Sequence, residues 1–131
     1  MTLEELEATL PNGLHDAEIR SISLDYVKQT ARLSLDVWVG GMDLPEGPER
    51  ERYRRASLEF TGLLYCAIEP PDFRPEYSGF AQAGPVSTSE SVPVESPASL
   101  PAGTFEARVF VRDWNSFIQF AASGASLTWL D

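Results

Sequence analysis

The adjacent pair His15 and Asp16 carries the chemistry most readily suited to proton transfer, because the chain has a single histidine. An unperturbed imidazole exchanges a proton near neutrality, and a neighbouring carboxylate can orient it. Adjacency alone is a weak arrangement: in an extended strand the two side chains point to opposite faces, and only a turn brings them together. The reading favoured on sequence is structural, with His15 donating a hydrogen bond at the start of a sheet and Asp16 stabilising a helix-to-strand turn.

The remaining inventory excludes more than it offers. With one histidine and one cysteine, Cys66, the chain has no histidine cluster, HExxH metal site or zinc ribbon. Its carboxylates match no EF-hand loop, and there is no P-loop and no dinucleotide-binding glycine fingerprint. No metal and no cofactor are therefore expected. Cys66 lies in the apolar run LLYCAI, so a core thiol is the stronger reading over a Cys66/His15 nucleophilic pair. Glu18, Glu59, Glu69 and Glu106 could supply the two carboxylates of a glycosidase, but nothing in their spacing pairs them. Asp36, Trp38, Asp113 and Trp114 offer an aromatic and acidic contact surface for a basic protein. The same residues could simply end and cover a sheet, and Trp38 could pack beneath the loop that follows it.

Charge narrows the partners. Twenty acidic residues against ten Lys and Arg give a net charge of -10, which opposes nonspecific attraction to nucleic-acid backbones or anionic membranes and permits a basic partner. The arginines at 50, 52, 54 and 55 are interleaved with Glu49 and Glu51, which weakens any nucleic-acid reading. The N-terminal decapeptide has acids where a secretion signal has positive charge, and no stretch approaches the ~18 apolar residues of a membrane span. A cytoplasmic protein is expected, with neither nucleic acid nor membrane as partner.

Residues 1–131 are expected to form a single mainly β domain. A short N-terminal helix fits residues 2–10, where Thr2 and Glu5 have capping-box spacing and Leu3, Leu6 and Leu10 approximate one face; Pro11, Asn12 and Gly13 end it. Ile22, Leu24 and Tyr26 share one face of a first strand. Ile19 falls out of phase, which calls for a later strand start, a bulge, or cover on both faces. After a polar connection, Ala31, Leu33, Leu35, Val37 and Val39 alternate cleanly with polar residues, so one face should enter the core. Residues 40–50 read as a loop. The run 53–68 reads as a central strand covered on both faces, or as two shorter strands bent near Gly62.

Residues 70–101 contain seven of the ten prolines and are expected to be a proline-rich insertion or long surface loop, with Phe73, Tyr77 and Phe80 as anchors. Any edge strand near residues 91–95 would break at Pro93. Beyond it, residues 105–130 suggest a three-strand meander with a turn at 113–116. The sum is one antiparallel, strongly bent sheet, a partial barrel or sandwich of about six strands.

The runs GLHDAEIRSISLDY and ARLSLDV, with the late NSFIQFAASGASLTWLD, resemble the opening and closing strands of small uncharacterised bacterial domains that include immunity-protein-like members of polymorphic toxin systems. The resemblance covers the first 40 residues and the last 20, and leaves the proline-rich middle unmatched. It implies a mostly β, noncatalytic protein that neutralises a cognate toxin by binding it, with His15 and Asp16 as family-marking residues. The alternatives are a small hydrolase or other acid/base enzyme using His15, and a structural homodimer.

Overall fold

A computed structural model describes residues 1–70, 86–92 and 100–131. Its strands are β1 (Glu18–Asp25), β2 (Thr30–Trp38), β3 (Tyr53–Thr61), β4 (Tyr65–Ile68), β5 (Val86–Val92), β6 (Phe105–Val111), β7 (Ser116–Ala122) and β8 (Gly124–Trp129), preceded by a helix α1 (Leu3–Glu7). Among the described residues all pairings are antiparallel and follow the order β4-β7-β6-β5-β1-β2-β3-β8. The strands form two sheets, β1-β2-β3-β8 and β5-β6-β7-β4, joined where β5 meets β1 through Glu18↔Ser87 and Ile19↔Val86. The mainly β, strongly bent architecture expected from the sequence is present, and among the described residues it does not close into a barrel.

The alternation in β2 decides the first sheet. Ala31, Leu33, Leu35 and Val37 are all buried, as are their β3 counterparts Ala56, Leu58 and Phe60, because successive side chains of a strand face opposite sides. The out-of-phase Ile19 is explained by a bulge between Ile19 and Ser21, which restores Ile22 to the core side. Asp25 forms the hairpin turn, its carboxylate accepting the amides of Val27 and Lys28 at 3.0 and 2.9 Å. From the second sheet Val109, Ile118 and Phe120 enter the same core. Phe60 and Phe120 stack across the two sheets at 4.2 Å, an arrangement that adds to the burial of both rings.

Gly62 is where the run 53–68 bends, so two shorter strands form rather than one central strand. β3 pairs with β8, and β4 beyond the bend pairs with β7. A second crossing at Ser123 mirrors the first, so two strand pairs pass together from one sheet to the other.

Three expectations need correction. The loop reading of residues 70–101 fails at 86–92, where β5 lies between β1 and β6 and links the sheets; the sequence VSTSESV has no proline, and the strand stops one residue before Pro93, which lacks a ladder donor. Phe73, Tyr77 and Phe80 lie outside the described residues. The three-strand meander is instead a β6–β7 hairpin followed by β8, which crosses to β3. The helix spans Leu3–Glu7 rather than 2–10. Thr2 caps it by accepting the Glu5 amide at 3.1 Å, and the Thr9 hydroxyl donates to the Leu6 carbonyl at 2.7 Å, satisfying an end group as the chain turns. Leu3 and Leu6 are buried in the common core, and the Met1 carbonyl accepts the Ala125 amide at 2.8 Å. This tertiary support holds a helix too short to persist alone.

Candidate binding surface

Residues 11–17 form a knot of turns that sets His15 and Asp16. The His15 amide donates to the Asn12 carbonyl and the Ala17 amide to the Leu14 carbonyl, each at 3.1 Å. Leu14 and Ala17 point into the core, which leaves the two residues between them outward. The Asn12 side-chain amide donates to the carbonyls of Trp38 and Gly40 at 3.2 and 2.8 Å, tying this turn to the end of β2.

Asp16 adopts a left-handed backbone, φ 57°, a conformation that aspartate tolerates better than most residues. That turn removes the opposition of faces expected of an extended strand. His15 Nδ1 lies 3.1 Å from Asp16 Oδ2, with the histidine side chain 58% exposed. The other carboxylate oxygen of Asp16 lies 3.4 Å from Arg112 Nη1, and Arg112 Nε is 3.7 Å from Asp113. The Tyr53 hydroxyl donates to the Asp16 carbonyl at 3.4 Å. Burial, followed by the charges of Glu18, Asp16 and Glu51, pushes the Tyr53 phenol upward, while Arg112 pulls it down. The surroundings are thus predominantly acidic.

Trp38 sits beside His15, their ring centroids 6.4 Å apart. Its indole N–H donates to the Arg50 carbonyl at 2.7 Å, so Trp38 does pack beneath the loop that follows β2. The loop lies close: a Cβ on Gly40 would come within 1.9 Å of that Arg50 carbonyl oxygen, which is why glycine is required there.

Of the six sequence candidates, the fold gathers four, His15, Asp16, Trp38 and Asp113, at one end. Asp36, two residues before Trp38 on β2 and the ladder partner of Glu18, is closed off: its side chain is 12% exposed, and its oxygens lie 2.7 Å from Arg20 Nε and 3.3 Å from Arg55 Nε. It serves an ion-pair triad with Arg20 and Arg55. Trp114 turns away from Asp113 to pack against the core, lining a cavity of about 200 Å³ with Ile19, Ile118 and others. Arg112 and Tyr53 were not singled out from the sequence. Arg112 lies 96 positions from Asp16, so only the meeting of the two sheets makes them neighbours.

Cys66 is a free thiol, and burial pushes its pKa up, opposite to what activates a nucleophile. Among the described residues, no group of three or more His, Cys, Asp or Glu side chains is placed to hold a metal ion, and no helix is long and apolar enough to cross a membrane.

No family model matches the sequence, and no curated protein matches it. Among solved structures, the fold is similar to the crystal structure of an uncharacterized protein from Neisseria gonorrhoeae, with a TM-score of 0.54 and 15% identity over 88% of this chain and 93% of that one. At that identity the likeness shows a shared fold and nothing of activity.

Proposed function

We propose that the chain is a noncatalytic protein-binding domain that engages a basic partner, in the manner of an immunity protein neutralising its cognate toxin. The observation that carries this reading is the exposed His15 ring, set beside Trp38 and Tyr53 on a surface that four separate segments hold in place by hydrogen bonds and ion pairs. Aromatic and arginine side chains on a rigid base are the usual energetic anchors of protein interfaces. The carboxylates of Asp16, Glu18, Glu51 and Asp113 give this end an acidic field suited to steering a basic partner.

The acid/base alternative gains the His15–Asp16 contact but little else. Asp16 divides its carboxylate between His15 and Arg112, and a hydrolase needs a concave site around its base. Cavities of about 390, 200 and 240 Å³ are lined by other residues.

Copurification from the native cell, with mass spectrometry and crosslinking, tests the proposal. A stoichiometric basic partner crosslinked near His15 and Tyr53, and lost on Asp16→Lys with Asp113→Lys, is the expected result. Recovery of the chain alone under gentle conditions, or turnover abolished in a folded His15→Ala variant, would overturn it.

A further inference from the structure

We infer that the rings of His15, Trp38 and Tyr53 form an arginine-docking platform, on which one guanidinium of the basic partner stacks within a rim of carboxylates. The inference rests on the protein-binding reading above and names the group that the partner presents to this surface.

Strand register brings two of the rings together. Trp38 and Tyr53 are ladder partners at the end of the β2–β3 pair, so their side chains stand on one face of the sheet with Cβ atoms about 5 Å apart. That face is the outer one, because the adjoining Val37 is buried on the other side. His15 joins them from the preceding turn, its ring centroid 6.4 Å from that of Trp38 and tilted by 55°. The Trp38 indole is tied to the Arg50 carbonyl at 2.7 Å and the Tyr53 hydroxyl to the Asp16 carbonyl at 3.4 Å. Rings held in place before a partner arrives lose little freedom on binding. They are also reachable: the His15 side chain is 58% exposed, Tyr53 is 38% exposed and Trp38 is half-buried.

Charge makes a cation the occupant. The face of an aromatic ring attracts positive charge, and carboxylates outnumber cations around Tyr53. After burial, Glu18, Asp16 and Glu51 push its phenol upward, and Arg112 opposes them. The next row along the same face has the other character. There Arg20 and Arg55 flank the single carboxylate of Asp36, so a partner's cation is repelled from that row and confined to the ring end of the sheet.

Among cations, a guanidinium fits this surface better than an ammonium. It is planar and weakly hydrated, so it lies flat on a ring while its edge keeps N–H donors for neighbouring carboxylates, whereas an ammonium is a compact, strongly hydrated charge. The chain uses the same pairing inside its own fold, with Arg54 4.2 Å over Trp129 and Arg108 5.0 Å over Phe117.

The test uses the full chain, isotope-labelled, and the blocked tripeptide Gly-Arg-Gly, with lysine and uncharged citrulline twins at matched ionic strength. At about 20 mM, where association weaker than millimolar still registers, the arginine peptide should shift the Trp38 indole N–H and the His15 and Tyr53 ring signals. The lysine twin should bind about threefold more weakly and the citrulline twin should leave these signals unmoved. Tyr53→Leu should weaken the arginine peptide about fivefold, and Trp38→Leu at least as much. Should Trp38→Leu fail to fold, Tyr53→Leu decides. Equal responses to the arginine peptide and either twin, shifts centred on other residues, or unchanged binding in folded Tyr53→Leu overturn the inference. The two readings fail separately. A basic partner that crosslinks near His15 yet binds both variants as tightly as the native chain removes the platform alone, whereas a seated peptide with no copurifying basic partner removes only the protein-binding reading.

Discussion

Gly62 and Ser123 face each other at the corner where both strand pairs cross between the sheets. The Ser123 amide and hydroxyl both donate to the Thr61 carbonyl, at 2.9 and 3.2 Å. Gly62 has φ +58°, and a Cβ there would lie 1.9 Å from the Ser123 hydroxyl oxygen. Glycine is needed for its dihedral angle and also for its lack of volume. Gly62→Ala should therefore cost about 2–4 kcal/mol, combining backbone strain with overpacking. Gly41, with ordinary φ and only van der Waals neighbours, is the control: Gly41→Ala should stay within about 0.5 kcal/mol. Urea unfolding of both variants checks the pair.

How much of this was legible in the sequence depends on the range of the interaction. The β2 alternation, the Ile19 irregularity and the bend at Gly62 are local signals, and each has its counterpart in the structure. β5 was hidden because its composition, VSTSESV, resembles the polar loop around it; its pairing with β1 and β6 supplies what propensity does not. The departure of β8 from β7 was hidden for a similar reason: a one-residue connection at Ser123 reads as a tight hairpin until the partner strand β3 is known. At the candidate surface, His15, Asp16 and Trp38 stood out by type, whereas Arg112 and Tyr53 became relevant only through contacts across the fold.

Asp36 illustrates a residue whose type suggested binding and whose setting gives it a structural task. Its carboxylate answers two guanidinium groups, Arg20 and Arg55, so removing it leaves both cations without that partner at a partly covered site. Asp36→Ala should destabilise by about 1–3 kcal/mol, below the range for a fully buried pair because both arginines remain partly exposed. High salt should change the loss little if burial dominates. Affinity for a partner, measured well below the melting temperature, should be unchanged; a drop in affinity with native stability would return Asp36 to the contact surface.

Tyr65 should leave a signature at alkaline pH. Its hydroxyl donates to Glu106 at 2.6 Å, and this bond, followed by burial and the Glu106 charge, pushes its pKa up to about 12 from 10.0. A raised folded-state pKa means that the protonated phenol is favoured by folding. The contribution is therefore complete below pH 10 and is lost as pH rises toward 12. Solvent access at 39% exposure keeps its size modest. Ultraviolet titration should find a tyrosine component near 12 that shifts back toward 10 in Glu106→Gln. Tyr65→Phe should flatten that part of the stability profile, and an unchanged profile would show the bond contributes nothing.

The last strand gives a prediction in which several small interactions fail together. Trp129 pairs with Ala56 at the end of the β3–β8 ladder, and the Leu130 amide donates to the Arg55 carbonyl at 2.9 Å. The Arg54 guanidinium lies 4.2 Å over the Trp129 ring and also binds Asp131 through both carboxylate oxygens, which holds the Asp131 carboxyl below its usual range. The ion pair is exposed and contributes little by itself, so the Trp129 ring, packed against the core, should dominate. Deleting residues 129–131 is expected to cost on the order of 2 kcal/mol and lower the melting temperature by several degrees. Asp131→Asn alone should have a much smaller effect. Equal losses from the two variants would place the stabilisation in the Arg54–Asp131 pair instead of in the buried aromatic surface.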